Sequence, residues 1–496
     1  MAKRALSRKP PFFVLATIAA AAFAACLGDA EDRPDAAAGS GGSGASSGRG
    51  GAGGGAGAAG GPAGGAGAAG AGGQVPACRD DDGDGVPSSR CGGTDCCDAG
   101  DEGTLGCTAL NAPLIYPGVG EGWAIESTGA TGDVGDAVVT PDGKAHFVQV
   151  FDKGIRYASG AGGPFAFETV DDRRDRGPAL ALDAAGGLHV AYGDTGFTTA
   201  YSNLYYARRG AGATAWSSEQ ITDDTNSGHY VALAVGPDGS AHILHSDLIG
   251  TLTGGGSTWR PRDLFYTTNA GGGAGGAGGA PGWASRTLAT AATTTPARTA
   301  IAVAPSGQVH VLYINSISGE LMHVLIEGEA VTPRVVEAGV GVGDIGLALG
   351  EGGRVYASWP GASASGGGLA VRFGVFDAGT WQAEDAYDVG EAPSFAPASD
   401  LALDAAGDPH LCVAGVDTVL RYVARKGGVW SSEIVQSPAQ QFRCRIGVDA
   451  QGGPHIVFSN VGGSPGNPPG QTGQFAIRHA VRSPSPGVDR DCDGAD

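Results

Sequence analysis

The stretch "ALALDAAGGLHVAY", residues 179–192, places two short apolar segments around a turn, and its pattern returns along the whole chain. The seven copies occupy residues 137–150, 179–192, 233–245, 301–313, 347–359, 401–413 and 446–458. Six copies carry a histidine at one shared position, namely His146, His189, His242, His310, His410 and His455, and the fifth copy has Tyr356 there. A self-similar period of about 40 to 70 residues is typical of stacked or circular repeat folds. Seven copies of one unit therefore determine the architecture.

Each copy continues into two further predicted strands. In the second copy, strands at 179–182 and 188–192 flank a turn, "LYYARR" at 204–209 is the third strand and "AWSSEQI" at 215–221 is the fourth. Third strands recur as "GIRYAS" from Gly154, "LFYTT" from Leu264, "LMHVL" from Leu321, "AVRFGV" from Ala370, "LRYVARK" from Leu420 and "AIRHAV" from Ala476. Fourth strands recur with an aromatic residue at Phe165 or Phe167, Trp283, Trp381 and Trp430. The fourth copy has only "VTPRVVEA" at 331–338 and is degenerate.

Four-stranded antiparallel units repeated radially form a β-propeller, which protects its short strand edges by closing into a ring. We therefore predict an all-β, seven-bladed β-propeller of four-stranded blades over residues 119–484. An open solenoid would need capping repeats, and none is visible. The seventh copy stops at Val481 after three strands, while "GWAIEST" at 122–128 matches the fourth-strand pattern through Trp123. This N-terminal strand is predicted to complete the last blade.

The repeated histidines are predicted to be structural. A ligand site occurs once, whereas these residues recur in six units, which favours hydrogen bonding to the turn or to the neighbouring blade. Packed sheets lie about 10 Å apart, but zinc ligands lie about 2 Å from their metal. Equivalent histidines on adjacent blades are therefore too far apart to share an ion.

The N-terminal region predicts export. Residues 1–25 combine basic residues with an apolar run at 12–25 that is short for a membrane span, as in a signal peptide. Cys26 follows "FAA", as in a lipobox, and predicts a lipidated N-terminus; simple cleavage near Ala25 is the alternative. Residues 26–77, mostly Gly, Ala and Ser, predict a disordered tether. We expect an outer-membrane or cell-surface lipoprotein, or alternatively a secreted protein.

The formal net charge of −20 argues against two classes of partner. Nucleic acid and anionic membrane surfaces both repel an acidic protein. Contact with a membrane is therefore expected only through a lipid at Cys26.

An Asp- and Cys-rich segment at 78–118 precedes the repeats. Its D-x-D-x-D-G spacing is that of a calcium loop, in which alternate carboxylates converge and a glycine permits the sharp turn. An EF-hand would have Glu at the twelfth position, where this chain has Cys91, so other carboxylates must complete the site. We predict a structural calcium ion, and the alternative is a solvated acidic loop. The predicted ligands are Asp80, Asp82, Asp84, Asp95 and Asp98.

Together with the C-terminal tail at 485–496, this segment resembles the metal-binding repeat of exported bacterial proteins, with the pattern DxDGDG, GxDCDD, Tyr-Pro-Gly and GVDNDCDG. The corresponding pieces are residues 80–85, "GTDCCDAG" from Gly93, "IYPGVGE" from Ile115 and "GVDRDCDG" from Gly487. Cys97 replaces an Asp, Arg490 replaces an Asn, and a whole propeller separates the halves. Ring closure would let the halves meet.

Eight cysteines remain after Cys26, an even number that suits disulfides in an exported protein. Six of them flank the propeller and allow fifteen pairings; they are Cys78, Cys91, Cys96, Cys97, Cys107 and Cys492. At least one bridge is expected to link Cys492 to the N-terminal group. Cys412 and Cys444 lie in neighbouring blades. The sequence is compatible with a disulfide between them and with two buried free thiols.

The blade phrases over 122–482 are similar to those of bacterial sialidase-like or BNR-type propellers, although the Asp-box survives only as "DAGTW" from Asp377. Unrepeated polar residues at the start of the innermost strands are the candidate ligand-binding residues: Arg176, His229, Tyr230, Arg298, Asp344 and Arg443. Arginines from different blades would hold an anion through bidentate bonds, as the sialidase arginine cluster does. Glycoside hydrolysis usually needs two placed carboxylates, and no convincing Tyr and Glu pair is present, so no catalytic residue is assigned.

We expect a non-enzymatic, surface-displayed propeller that binds a glycan or a protein. The first alternative is a sialidase-like or lyase-type carbohydrate-active enzyme that uses the arginine cluster. The second alternative is a structural surface protein without a single ligand.

Overall fold

The computed structural model describes residues 119–482 except 133, 152–153, 163–164, 174–176, 195–202, 224–227, 248–251, 254–255, 258–261, 274–281, 294–298, 342, 391–396, 417, 438–440 and 462–474. The predicted signal peptide, tether, calcium ligands and C-terminal tail lie outside the described residues. The same holds for Cys26, for the six flanking cysteines, and for Arg176 and Arg298. Of His229, the structure describes the backbone alone.

The described residues form a seven-bladed β-propeller of four-stranded antiparallel sheets, as predicted. Strand β1 (Trp123–Thr131) precedes blade 1, which contains β2 (Val134–Val139), β3 (Ala145–Phe151), β4 (Gly154–Gly160) and β5 (Ala166–Asp171). Blade 2 contains β6 (Ala179–Leu182), β7 (Leu188–Gly193), β8 (Leu204–Arg209) and β9 (Ser217–Gln220). Blade 3 contains β10 (His229–Val235), β11 (Ala241–Ser246), β14 (Arg262–Gly273) and β15 (Gly282–Thr293), with a small hairpin of β12 (Leu252–Thr253) and β13 (Gly256–Ser257) inserted after β11.

Blade 4 contains β16 (Ala300–Val303), β17 (Val309–Asn315), β18 (Glu320–Glu327) and β19 (Ala330–Ala338). Blade 5 contains β20 (Gly346–Leu349), β21 (Val355–Ala362), β22 (Leu369–Asp377) and β23 (Thr380–Gly390), with a 3-10 turn at Glu351–Gly353. Blade 6 contains β24 (Ala398–Leu403), β25 (Pro409–Val416), β26 (Val419–Lys426) and β27 (Val429–Gln436). Within the described ranges, no helix is long and apolar enough to cross a membrane.

Blade 7 combines the two ends of the described chain. Its strands lie in the order β1, β30 (Phe475–Arg482), β29 (Pro454–Val461) and β28 (Gln441–Val448), so β1 is the outermost strand. Trp123 is the register partner of Arg482 in this antiparallel pair. The predicted closure by an N-terminal strand is therefore confirmed.

One glycine position explains the shared turn of the seven copies. A five-residue turn joins the first strand of every blade to the second, as at 183–187. In that turn the Gly186 amide donates to the Asp183 carbonyl at 3.0 Å, and the Asp183 amide donates to the Gly187 carbonyl at 2.9 Å. Gly186 has φ +82°, a left-handed conformation that favours glycine. Its equivalents, also at positive φ, are Gly143, Gly239, Gly307, Gly353, Gly407 and Gly452.

The core lies between adjacent blades, and aromatic residues of the fourth strands join them. Each such residue packs against a ring on the third strand of the preceding blade, with ring centroids 5.1 to 5.8 Å apart. The pairs are Trp216 with Tyr157, Trp283 with Tyr206, Trp381 with His323, Trp430 with Phe373, Trp123 with Tyr422, and Phe165 with His479. The last two pairs close the ring on both sides of blade 7.

Among the described residues, no aromatic pair joins blades 3 and 4, in agreement with the degenerate fourth strand of the fourth copy. Val331 pairs with Ile326 in the register that Trp381 and Phe376 have in blade 5, and it is 38% exposed. Arg286 of blade 3 covers Tyr266 instead, with 5.2 Å between its guanidinium carbon and the ring centroid. It also donates to two backbone carbonyls in the following blade.

The repeated histidines bond to the third strand of their own blade, and His189, His242, His410 and His455 also bond to the turn. In His189, Nδ1 lies 2.5 Å from the Tyr206 hydroxyl and Nε2 lies 3.2 Å from the Asp183 carboxylate. Burial lowers the pKa of His189, so the neutral imidazole accepts from the tyrosine and donates to the aspartate. The same histidine–tyrosine bond occurs as His146 with Tyr157, His242 with Tyr266 and His410 with Tyr422. A second histidine replaces the tyrosine in the pairs His310 with His323 and His455 with His479.

Cys412 and Cys444 form a disulfide between blades 6 and 7. Cys444 lies on the innermost strand β28, and Cys412 lies on β25, the second strand of blade 6. Both residues are buried. Of the two states left open by the sequence, the structure shows the bridge.

Candidate functional site

The two ends of the blades differ in their connections. The first-to-second strand turns at one end all have the same length, which reflects their shared glycine and hydrogen bonds. At the opposite end, the connections between the second and third strands differ in length. They occupy residues 152–153, 194–203, 247–261, 316–319, 363–368, 417–418 and 462–474. Variable connections on a fixed scaffold are where binding residues concentrate. The innermost strands begin at this same end, which we call the channel entrance.

Two register positions of the innermost strands lie at the channel entrance. The first position, twelve residues before the repeated histidine, holds Val134, Gly177, Tyr230, Arg298, Asp344, Ala398 and Arg443. The second position, ten residues before it, holds Asp136, Ala179, Ala232, Ala300, Gly346, Asp400 and Arg445. The second position therefore holds alanine or glycine in four blades and a charged residue in three. A charge that breaks a repeat is not required by the repeat's own packing.

Arg445 connects carboxylates from two other blades. Its Nε donates to Asp136 Oδ1 of blade 1 at 2.9 Å, and one terminal nitrogen lies 3.9 Å from Asp344 Oδ2 of blade 5. That nitrogen also donates to the Cys444 carbonyl at 2.8 Å. Because Arg445 lies on blade 7, its guanidinium must extend toward the channel to approach blade 5. The Arg445 side chain is 10% exposed and that of Asp136 is 24% exposed, so solvent reaches the pair.

The carboxylates are held by backbone amides of the following blade. Asp136 Oδ2 accepts from Leu180 N of blade 2, and Asp400 Oδ2 accepts from Ile446 N of blade 7, both at 3.1 Å. Burial raises the pKa of the Asp400 carboxyl to about 7. The bond from Ile446 N opposes this shift, whereas the negative charges of Asp136 and Asp344 add to it. Asp400 therefore exchanges a proton near neutral pH.

Tyr230 lies at the channel entrance in an unusual backbone conformation. Its φ is +52°, which non-glycine residues rarely adopt. The register of β10 with β11 shifts between His229 and Ala232, so a bulge accompanies this conformation. Strained residues and bulges are concentrated at functional sites because they redirect a side chain. The positive φ sets Tyr230 apart from the other non-glycine residues described in the innermost strands, whereas register shifts at this end also occur in β2 and β28.

One of the predicted site residues, Asp344, contacts Arg445. Asp344 forms the ion pair with Arg445, while Tyr230 and Arg443 lie at the same end of their innermost strands. Arg176 and Arg298 lie outside the described residues, so the predicted arginine cluster stays a prediction. The sequence reasoning missed Asp136, Asp400 and Arg445. Their signal was present two residues further along each strand, where these copies replace alanine or glycine with a charge.

No group of three His, Cys, Asp or Glu side chains within the described ranges is arranged to hold a metal ion. In the set Asp136, Asp344, Asp400 and Arg445, which we call the axial cluster, Arg445 pairs with Asp136 and Asp344, and backbone amides donate to Asp136 and Asp400. Such a set can exchange hydrogen bonds with a polar ligand: carboxylates accept and guanidinium donates.

No protein-family model matches the chain, and no curated protein sequence matches it. The BP39L lectin from Burkholderia pseudomallei is structurally similar, with TM-score 0.48 and 12% identity, over 72% of this chain and 98% of the lectin. Virginiamycin B lyase from Staphylococcus aureus has TM-score 0.43 and 10% identity, over 72% and 99% of the two chains. The fucose-specific lectin from Aleuria aurantia has TM-score 0.40 and 10% identity, over 62% and 96%.

Proposed function

We propose that the chain is a non-enzymatic binding protein that holds a glycan at the channel entrance, displayed at the cell surface. The observation that carries this proposal is the convergence of unrepeated charged residues from blades 1, 5, 6 and 7 in the axial cluster. The remaining copies show that the propeller forms with alanine or glycine at the second register position. The fold does not require these charges, which leaves ligand binding as their role.

The chemistry of the axial cluster suits a polyhydroxylated ligand. Two oxygens of one carboxylate accept bonds from neighbouring hydroxyls of a sugar ring, and a fixed guanidinium donates to ring or glycosidic oxygens. Arg445 is fixed before binding by Asp136 and by the Cys444 carbonyl. A ligand therefore finds its partners already oriented, which reduces the entropy that binding must overcome.

A glycan array with the full chain tests this proposal. We expect binding that is restricted to a few related glycans and is competed by the free sugar. A protein ligand, the other partner class, would bind in a pull-down without sugar competition. Absence of binding in both assays would favour a structural surface protein and would overturn the proposal.

The runner-up is a carbohydrate-active enzyme, and Asp400 is the observation that favours it. A carboxyl whose pKa lies near 7 is suited to act as a general acid beside ionised carboxylates. Incubating the chain with a panel of polysaccharides and measuring new reducing ends or unsaturated products tests this function. Turnover that is lost in Asp400→Asn, with binding retained, would replace the binding proposal with this one.

We further propose that a lipid at Cys26 and the Gly/Ala-rich tether attach the propeller to the membrane, and that calcium stabilises its ends. The support for the lipid is the sequence before Cys26, and the support for calcium is the pairing of Trp123 with Arg482, because these described residues lie close in sequence to the two Asp- and Cys-rich segments. Thermal melting of the full chain with and without a chelator is the test. The midpoint should fall with chelator and recover with added calcium. An unchanged midpoint would contradict the calcium proposal.

A further inference from the structure

The outer edge of blade 6 already binds an extended segment of the chain. Val119 forms an antiparallel bridge with Gln436 at the end of β27, and the Gly120 amide donates to the Val435 carbonyl at 3.0 Å. This segment lies beside the outermost strand, whose edge has no neighbour within its own sheet. An antiparallel bridge of this kind adds a further strand position to a sheet edge.

The approach of this segment is so close that it requires glycine. A Cβ added to Gly120 would lie 1.7 Å from the Ile434 carbonyl oxygen, which is backbone and cannot move aside. Val435, whose carbonyl receives the bond, is the extra residue of a β-bulge, since Leu420 pairs with Gln436 and Arg421 with Ile434. The bulge leaves this residue outside the regular ladder and available to a strand on the outer side.

The same bulge recurs on the outermost strands of blades 1, 4 and 5, and blade 1 combines it with a cavity. Ile155 pairs with Asp171 and Arg156 with Thr169, so Val170 is the bulged residue equivalent to Val435. Asp171 is then equivalent to Gln436. A surface cavity of about 430 Å³ lies at this place and is lined by Thr169, Val170, Asp171, Asp172 and Arg173. The cavity therefore occupies the position on blade 1 that residues 119–120 occupy on blade 6.

Polar side chains fix the floor of this cavity. Asp171 accepts from the Tyr192 hydroxyl at 2.7 Å and from the Arg173 backbone amide at 2.9 Å. The Arg173 guanidinium carbon lies 4.6 Å from the Tyr205 ring centroid, and this side chain is 46% exposed. Tyr192 stacks on Tyr205, with centroids 5.7 Å apart. Arg173 and Tyr192 thus both cover Tyr205, which disfavours stacking of a sugar ring on it and leaves the strand edge as the binding element.

We propose that the outer edge of blade 1 at residues 169–173 is a docking site for an extended polypeptide segment of a partner protein, with a glycine facing Val170. The partner's glycine amide donates to the Val170 carbonyl, as Gly120 does to Val435. In return the Asp172 amide donates to a partner carbonyl, as antiparallel pairing requires. This site is distinct from the axial cluster and does not depend on the proposed glycan.

A fluorescently labelled peptide of residues 113–122, "PLIYPGVGEG", is the probe, and anisotropy of the full chain with this peptide is the measurement. Saturable binding with a dissociation constant in roughly the millimolar range or tighter is expected for a short edge-paired peptide. Asp172→Pro removes the donating amide and should weaken binding about fivefold or more. Asp172→Ala keeps that amide and should bind like the original chain. A peptide with valine in place of its glycine at position 120 should not bind.

Three results would overturn this proposal. The first is absence of saturable binding, and the second is equal binding by the Asp172→Pro and Asp172→Ala chains. The third is competition of the labelled peptide by free sugars, which would assign the cavity to a glycan. The valine-containing peptide keeps the test valid even if Asp172→Pro fails to fold, because it is measured on the unaltered protein.

Discussion

The Trp123 ring packs edge-on against Tyr422, with centroids 5.4 Å apart and an interplanar angle of 63°. Trp123 belongs to the N-terminal strand and Tyr422 to blade 6, so this contact joins the ring at its closure. The Trp123 side chain is only 4% exposed and belongs to the core cluster that also contains the disulfide cysteines. Closure therefore depends on a large apolar contact and on one covalent bond in the same place.

Trp123→Ala should destabilise the whole propeller, since a cavity would open between blades 6 and 7. Large-to-small substitutions of buried aromatic residues cost about 3–5 kcal/mol. Trp123→Phe should cost less, because it keeps the ring contact, and because the buried Trp123 Nε1 has no hydrogen-bond partner among the described residues. Chemical denaturation followed by far-UV circular dichroism measures both. Equal stability of the alanine variant and the original chain would show that β1 does not close the ring.

Val331→Trp should stabilise the protein by supplying the aromatic contact missing between blades 3 and 4. The new ring would face Tyr266, and aromatic pairs contribute about 0.5–1.5 kcal/mol beyond their buried area. Val335→Trp on the same strand is the matched control, since Val335 is also exposed but lies outside the aromatic register position. The melting temperature of Val331→Trp should exceed that of the control. A rise of the same size in both variants would attribute the effect to general apolar burial.

Stability should fall as pH decreases from about 6.5 to about 4. Burial lowers the pKa of His146 and of His242 to about 4, whereas an unfolded histidine titrates near 6.5. Between these values the unfolded chain binds more protons than the folded chain, so acid favours unfolding, and the stability is fully present above pH 6.5. Melting temperatures across this interval measure the effect.

Blade 5 provides a control for this pH dependence. Its Tyr356 and Phe373 occupy the positions of the histidine and tyrosine, with centroids 6.1 Å apart. The double substitution His242→Tyr with Tyr266→Phe copies that pair into blade 3 and removes one titrating group. The loss of stability between pH 6.5 and 4 should then be smaller than in the original chain. An unchanged slope would mean that other groups cause the acid sensitivity.

Peptide mapping without reduction should recover two kinds of disulfide-linked peptide. The first joins Cys412 to Cys444, as the structure shows. The second joins Cys492 to one of Cys78, Cys91, Cys96, Cys97 or Cys107, because the segments that carry them start from the paired residues Trp123 and Arg482. A free Cys492 thiol would contradict the proposal that the two Asp- and Cys-rich segments meet.

The sequence was sufficient for the fold because its signals are repeated. The glycine equivalent to Gly186 marks every turn, the histidine equivalent to His189 marks six of the seven second strands, and the missing fourth strand could be found from Trp123 alone. Bonds from the histidines to the turn were predicted, but their bonds to a tyrosine or histidine on the third strand of the same blade were not, because the spacing in sequence between the two residues differs from blade to blade. Only the sheet register shows that the two positions meet diagonally across the strands.

The candidate site was predicted less completely than the fold, because its charged residues do not recur from blade to blade. Asp344 was found by its place in the first register position, while Asp136, Asp400 and Arg445 occupy the second. Which position approaches the channel depends on bulges in β2 and β28, where the register shifts beside Asp136 and Arg443. Such bulges come from tertiary packing and are not visible in the alternation of apolar residues.

The measurement that tests the central claim most directly is the affinity of Arg445→Met for the glycan identified on the array. Loss of charge-assisted hydrogen bonds should weaken binding about tenfold or more, measured by isothermal titration calorimetry. The control is Arg372→Met, which removes a similarly buried arginine paired with Glu337 and Asp385 away from the channel, and it should bind as the original chain does. Equal affinity of Arg445→Met and Arg372→Met would contradict a glycan site at the axial cluster.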